Sequence, residues 1–414
     1  MFVNDNSQHL KILLVAHRFY KDSKAGTETL VEDIATELMK KGHSIFIMAV
    51  SNDPLERNTK VLKRDDGIHC ISIPYFSQKN IIDNWKELEK VQTQRINNAI
   101  KELSISFDIV HIFHFARIGL DFFSLPIFKK SKLFVTLTDY SIFCPDYQMF
   151  NRKQKCICVA PGNTIKCSIC MDNIISPQVI NEWKSHNINF INEHAQMIYT
   201  QTKTQKQYII KSGIAKELLS PMTAAYKIPP DWENIEQNHP PKYMFGFFGR
   251  ISPEKGLDIF LKAYLKSYLN DAKLLICGSF DDNQEYNTFI KKLMVQTNNI
   301  TYSQPVPLKE LGELISSVNY VVFPSIWNEN HSILLTYACA LGKQVFCSAV
   351  PALKELKYPQ LNLVDNYDNI SSWKTIINKL QATKTHPKTF NFFEQNIKNE
   401  FSNFINALEK DYLS

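Results

Sequence analysis

The residues with the clearest chemical meaning lie in FFGRISPEKGLDIF, where an apolar run ends at Gly249 and Arg250, and Lys255 precedes an amphipathic stretch. The chain has only seven arginines, and Arg250 is the only one after Arg152 in a region with many lysines. A guanidinium is a rigid fork of N–H donors that grips phosphate or carboxylate with two parallel bonds, whereas an ammonium is a point charge. At a strand end beside a lysine, that fork suits a phosphate. The plainer alternative is a surface ion pair with Glu254 or Asp258. A second set lies in VVFPSIWNENHSILLTYACALGKQVFCS. There Glu329 falls between an apolar run and a helix, where its carboxylate can accept hydrogen bonds from sugar hydroxyls. Backbone N–H groups near Ser332 and Ile333 can meet a phosphate. A carboxylate kept there by the helix dipole is the competing explanation.

The first half of the chain offers smaller groups. Gly26 in SKAGTE precedes a helix, and glycine lets the backbone approach a ligand while helical N–H groups favour an anion. His17 and Arg18 follow one apolar run, His111 and His114 fall at the end of another, and Asp139 follows a third. Singly each is ordinary; together they suggest one rim. Five of the nine cysteines fall within residues 144–170, at Cys144, Cys156, Cys158, Cys167 and Cys170. Four thiolates from such a loop suit a tetrahedral structural site, with zinc first and an iron–sulfur cluster second, and buried thiols without metal as the alternative.

Two series of elements must position these groups. LKILLVA, SIFIMAV, FDIVHIF and KLFVTLT read as buried strands, with helices at TLVEDIATELMKKGH and Trp85–Leu103 between them. A helical crossover returns the chain in the same direction, so these strands are expected to pair in parallel. The second series runs from YMFGFFG through AKLLICG, NITYS and YVVFPS to QVFCS, with helices between the strands. Residues 221–242, with prolines at 221, 229, 230, 240 and 241, separate the series. The expected class is α/β, with two doubly wound Rossmann-like domains facing each other across a cleft. Ligands of such sheets bind beyond the carboxyl ends of the strands. The boundaries are residues 1–225 for the first domain, including a Cys-rich insertion at 144–170, then 226–242 for a linker and 243–388 for the second domain. Residues 389–414 form an amphipathic helix that packs back toward the first.

Composition narrows the class. The 414 residues carry 47 Lys+Arg against 41 Asp+Glu, and 12% are aromatic. That suits a folded protein with anionic small-molecule ligands and falls short of the basic stripe of a nucleic-acid binder. No apolar run approaches the ~18 residues of a membrane span. A cytoplasmic location is expected, with peripheral contact at the inner membrane face open through lysine-rich segments such as KKSK at 129–132.

KILLVAHRF with its AGTE loop, FDIVHIFH, VTLTDYSIFCP, FGFFGRISPEKGLD and YVVFPSIWNENHSILLTYACALGKQV, in this order, resemble the retaining, nucleotide-sugar-dependent glycosyltransferases of family 4, which have the GT-B fold. The resemblance implies transfer of a sugar from a nucleotide diphosphate sugar to a glycan or lipid-linked acceptor, in surface polysaccharide or lipopolysaccharide assembly. By the same resemblance Arg250 and Lys255 hold the donor phosphates without a catalytic metal, and Gly26 approaches them. Asn330, Ser332 and Ile333 join the donor-binding set, Glu329 contacts the transferred sugar, and His114 and Asp139 belong to the catalytic rim. CVAP matches a run in some bacterial members, which implies Cys144, Cys158, Cys167 and Cys170 as the metal set. Two positions depart from the family pattern. Tyr337 stands where a second glutamate usually bonds the ribose, and Thr138 stands where many members have a histidine near the donor sugar. These departures motivate one rival, a non-catalytic homologue that binds a glycan or a partner; an enzyme rival is a GT-B sugar-nucleotide epimerase, which should carry more carboxylates and histidines at the cleft than this sequence places there.

Overall fold

The structure, a computed structural model, describes every residue except 1–8, 20, 22–24, 54, 77–80, 104, 236–242, 268–271 and 383–394. Part of the expected linker (236–242), Ser23 and Lys24 of the SKAGTE loop, and the start of the expected last helix (389–394) lie outside the described residues. The chain divides into two compact units. The first holds residues up to Gln148, then Ala160–Lys227 and Phe401–Ser414; the second holds Met149–Val159 and Ile228–Glu400.

In the first unit the strands are β1 (Lys11–Val15), β2 (Ser44–Val50), β3 (Lys60–Lys63), β4 (His69–Ile73), β5 (Ile109–Ile112) and β6 (Lys132–Leu137). A hairpin of β7 (Phe150–Asn151) and β8 (Cys156–Ile157) belongs to the second unit, and β9 (Ala195–Thr200) and β10 (Leu219–Thr223) complete the first sheet. The sheet order is β10-β9-β6-β5-β1-β2-β4-β3. All its pairs are parallel except β3 with β4 at one edge. Helices α1 (Gly26–Lys40), α2 (Trp85–Leu103), α3 (Thr164–Cys170), α4 (Pro177–His194) and α5 (Lys203–Ser212) accompany it. Ile12, Leu13, Leu14 and Val15 are fully buried, as a strand covered on both faces requires.

The second unit has β11 (Met244–Phe248), β12 (Lys273–Cys277), β13 (Ile300–Ser303), β14 (Tyr320–Phe323), β15 (Gln344–Ser348) and β16 (Leu361–Val364). These form one parallel sheet in the order β13-β12-β11-β14-β15-β16. Its helices are α6 (Leu257–Leu265), α7 (Gln284–Met294), α8 (Leu308–Ser316), α9 (Ile333–Ala340) and α10 (Ile370–Ala382). Hydrophobic clusters fill it on both sides of the sheet, one around Trp232, Leu335 and Tyr337 and one around Phe260, Tyr320 and Trp373.

The last helix, α11 (Gln395–Leu413), places Phe401–Ser414 in the first unit. Tyr412 is buried against Phe134, with ring centroids 4.9 Å apart, and its hydroxyl bonds Nδ1 of the buried His111. Tyr199 donates to Asp411 at 2.6 Å, and Glu409 accepts from Lys41 at 2.7 Å. Three differences from the sequence reading stand out. Pro221 lies within β10, the unit boundary falls between Lys227 and Ile228, and part of the Cys-rich stretch groups with the second unit. No helix among the described residues is long and apolar enough to cross a membrane.

Candidate active site

Each sheet changes the direction of its winding once, and each collects its polar groups at that switch. In the second sheet β11 lies between β12 and β14, with Gly246 beside Val321 and Phe248 beside Cys277. The loops after β11 and β14 therefore leave side by side from adjacent carboxyl ends, where open α/β sheets bind ligands. A hydrogen bond from Ile326 N to the carbonyl of Glu254, at 2.9 Å, ties the two loops together. Gly256 makes that approach possible. Its φ of +66° suits glycine, and a Cβ there would lie 2.0 Å from the Pro324 carbonyl oxygen.

Lys255 and Glu329 meet between these loops. Nζ of Lys255 donates to Oε1 of Glu329 at 2.7 Å and lies 5.1 Å from the centre of the Trp327 ring. The other carboxylate oxygen accepts from Ser325 Oγ at 2.7 Å and from Trp327 Nε1 at 3.2 Å. Burial alone would push the Glu329 carboxyl up, but the Lys255 charge and these three donors hold it below the usual carboxylate range. Glu329 is thus a fixed anion, suited to orient hydroxyls or balance positive charge and unsuited to donate a proton.

Arg250 follows β11 with its side chain 49% exposed. It donates to Oε1 of the buried Glu254 at 2.7 Å, and Ser252 Oγ donates to the same oxygen at 2.7 Å. The ion pair weighed as the plainer alternative is therefore present, and it holds the half-exposed guanidinium to Glu254. Burial favours a neutral Glu254, but Arg250, Ser252 and Lys255 outweigh it and lower the pKa. Beyond β14, Ser332 caps α9 by accepting from Leu335 N at 3.4 Å, Ile333 begins the helix, and Asn330 is buried beside them in sequence. Tyr337 is a core residue, 2% exposed, with its ring edge-on to Trp232 at 4.8 Å.

The first sheet repeats the pattern. β1 lies between β5 and β2, and the paired ends of β1, β5 and β6 bring His17, His114 and Asp139 onto one rim. Nε2 of His114 lies 2.9 Å from Oδ2 of Asp139, whose other oxygen accepts from Ser141 N at 2.8 Å. Burial raises the Asp139 carboxyl, but the His114 charge and these bonds overcome it and lower the pKa. His17 lies tilted against His114 with ring centroids 4.1 Å apart and turns Nε2 to Glu28 at 3.2 Å. Burial, then the charges of His114, Arg18 and Arg117, lower the His17 pKa well below its ordinary value, and burial raises that of Glu28. Thr138 Oγ1 bonds Thr27 Oγ1 at 2.7 Å across the start of α1. Gly26 has a packing reason beyond any ligand, since a Cβ there would lie 2.9 Å from the Tyr226 hydroxyl.

In the Cys-rich stretch, Cys144 follows the turn after β6, Cys156 lies in β8, and Cys158 N donates to the Met149 carbonyl at 2.8 Å. Cys167 and Cys170 lie one turn apart on α3, with Cys167 buried. Sequence reasoning missed Glu28, Ser325, Trp327 and Arg117. Glu28 had a signal: it occupies the same face of α1 as the buried Val31, Ala35 and Leu38.

Residues 230–398 match the family model described as glycosyl transferases group 1. The whole chain has the GT-B fold. It superposes with a TM-score of 0.64 on Anabaena HepE, solved with UDP and glucose, at 14% identity over 98% of this chain and 99% of that one. Against sucrose-phosphate synthase of Thermosynechococcus elongatus the TM-score is 0.66, at 14% identity over 98% of this chain and 97% of that one. In sequence, the chain is 21% identical over 384 residues to an uncharacterized 42.6 kDa protein of the cps region of Klebsiella pneumoniae, covering 88% of this chain and 92% of that protein.

Proposed function

We propose that the protein is a glycosyltransferase that moves a sugar with retention of configuration from a nucleotide diphosphate sugar to a glycan or lipid-linked hydroxyl. The single observation that carries the reading is the Lys255–Glu329 pair at the switch of the second sheet, beside the exposed Arg250. Cleavage of a glycosyl phosphate spreads positive charge over the sugar and gathers negative charge on the departing oxygen. Fixed positive groups lower that barrier because they need no reorganisation as charge develops. Arg250, Lys255 and the N–H groups at Ser332 and Ile333 supply that charge in the proposed reaction, with no catalytic metal in any step. Glu329, ionised and oriented by three donors, takes hydroxyls of the transferred sugar. Asn330 completes the donor-side set, with Tyr337 acting through the position of α9. His114, held by Asp139, lines the acceptor side.

Neighbours of the same fold support a nucleotide-sugar donor, since HepE was solved with UDP-glucose and starch synthase IV of Arabidopsis thaliana with ADP. A setting in lipopolysaccharide or surface polysaccharide synthesis is proposed because WaaG, a glycosyltransferase involved in lipopolysaccharide biosynthesis, shares the fold with a TM-score of 0.58. Cys144, Cys158, Cys167 and Cys170 are proposed as a structural metal set. The donor chemistry fits zinc, and the i, i+3 spacing of the last two on α3 puts both thiols on one helix face. When bound, zinc would brace the segment and take no part in the transfer.

The test is donor turnover. Incubation with UDP-, GDP- and ADP-sugars and a panel of glycan acceptors should release nucleoside diphosphate with one of them and give a glycoside of unchanged anomeric configuration by NMR, and Arg250→Ala should abolish it. Nucleotide binding without any turnover would favour the non-catalytic reading, and nucleotide release with an altered free sugar would favour the epimerase.

A further inference from the structure

The first unit carries two of the seven arginines on its strand-end rim, and neither has a carboxylate partner among the described residues. Elsewhere the guanidinium groups are engaged: Arg64 forks onto Glu32 at 2.9 and 2.6 Å, Arg95 bonds the Pro74 carbonyl, and Arg250 bonds Glu254. Arg18 follows β1 and Arg117 follows β5, the two strands that flank the switch. Both are half-buried, and Nε of Arg18 is fully covered with no hydrogen-bond partner. A covered, unmatched charged donor is costly unless something arrives to accept from it. Arg117 is steadied over the Tyr75 ring at 5.2 Å. Of the two carboxylates of the rim, Asp139 is bonded by His114, and Glu28 lies 3.2 Å from Nε2 of His17 with both of its oxygens buried and without a hydrogen bond. Nδ1 of His17 is buried and unmatched as well.

We infer that Arg18 and Arg117 form an anion site for an acidic acceptor, gripping a carboxylate or phosphate on the acceptor sugar while Nδ1 of His17 accepts from one of its hydroxyls. This deepens the transferase reading and rests on it for the word acceptor; the anion site itself stands on the first unit alone. Burial and the neighbouring charge of Arg18 lower the Arg117 pKa, so an anion bound to both relieves a repulsion already built into the rim. Two oxygens in a plane match a guanidinium fork in both chemistries, which is why one site serves either source.

The experiment is ligand-observed NMR titration of the full chain with glucose, glucuronate, glucose 6-phosphate and inorganic phosphate at constant ionic strength. The same set is run on Arg18→Ala, Arg117→Ala, Arg117→Lys and Arg250→Ala. An acidic sugar should bind at least about tenfold more tightly than glucose, and Arg117→Ala or Arg18→Ala should erase that preference. Arg117→Lys, which keeps the charge without the fork, should retain part of it, and Arg250→Ala should leave it intact. A preference for glucuronate marks a carboxylated acceptor, and one for glucose 6-phosphate a phosphorylated one. Equal binding of glucose, no response to either acidic sugar, phosphate binding indifferent to both arginines, or loss of the preference in Arg250→Ala alone would each overturn the inference. Unchanged melting of the ligand-free variants excludes unfolding as the cause of a loss. Nucleotide titration in parallel separates the two readings: acidic-sugar binding without any nucleotide binding would sink the transferase and leave the anion site standing.

Discussion

Replacing Lys255 by alanine should destabilise the second unit in a way that a further loss of charge repairs. Glu329 is 5% exposed, and Lys255 is its only cationic partner among the described residues. Stranding one member of a buried pair costs about 3–5 kcal/mol, and two features reduce that here. The Lys255 side chain is 22% exposed, and Ser325 and Trp327 still donate to the stranded carboxylate, so about 2–3 kcal/mol is expected. In the double variant Lys255→Ala/Glu329→Gln the neutral amide needs no counter-charge, and about 1–2 kcal/mol should return. The pH dependence follows with a definite sign. In the wild type the folded Glu329 pKa is depressed, so its contribution is present above the unfolded carboxylate value and is lost as pH falls through the folded one. In Lys255→Ala only the Ser325 and Trp327 bonds oppose burial, so the pKa rises, and the penalty shrinks on acidification from neutral pH. Urea unfolding followed by tryptophan fluorescence reads this, since Trp232, Trp327 and Trp373 all belong to the second unit. A cost below about 0.5 kcal/mol for Lys255→Ala, or a double variant less stable than the single one, would refute the argument.

Three further outcomes follow from the same geometry. Gly256→Ala should cost at least about 2 kcal/mol, because it adds strain at positive φ to a clash with the Pro324 carbonyl; thermal melting that matches wild type would show that the loop yields freely. Burial pushes the His111 pKa down to about 3, so its neutral form stabilises the first unit fully above the unfolded histidine value, and that contribution fades as pH falls from there toward the folded one. His111→Gln, which keeps a polar partner for Thr136 and Tyr412 without titrating, should flatten the acid slope of unfolding below pH ~6.5. Elemental analysis of protein purified without chelator should find close to one zinc per chain, lost in Cys167→Ser with Cys170→Ser; metal content unchanged by those substitutions would remove the thiolates from the site.

The strands that carry the site were legible because a parallel strand covered on both faces is a short run of apolar residues. KILLV, IVHI, YVVF and QVFCS each announce themselves that way. The elements that escaped lack the signal. β3 reads KVLK at an exposed antiparallel edge, and β10 contains Pro221, which an edge strand tolerates because it needs no ladder donor there. The Cys-rich stretch is too short in its pieces to show any period, and its turns use left-handed residues such as Tyr147, Met149 and Lys155 that are not glycine. In the site, Arg250, Lys255 and Glu329 were visible because unusual residue types sit at strand ends. Their mutual contact was not, since it depends on which strands are neighbours, and β11 adjoins β14 across two intervening helix–strand units. Glu28 and Arg117 acquire meaning only when β1 and β5 lie side by side.

In the proposed reaction the second unit holds a nucleotide diphosphate through Arg250 and Lys255. Thermal shift of the full chain against a panel of nucleotides and nucleotide sugars, with Arg250→Ala and Lys255→Ala alongside, tests it most directly. A ligand that binds only the native state raises the melting point by mass action. One base should stabilise the wild type as diphosphate and as sugar conjugate, and both variants should lose the response. A wild type that melts alike with every nucleotide, or a response undiminished in both variants, would contradict it.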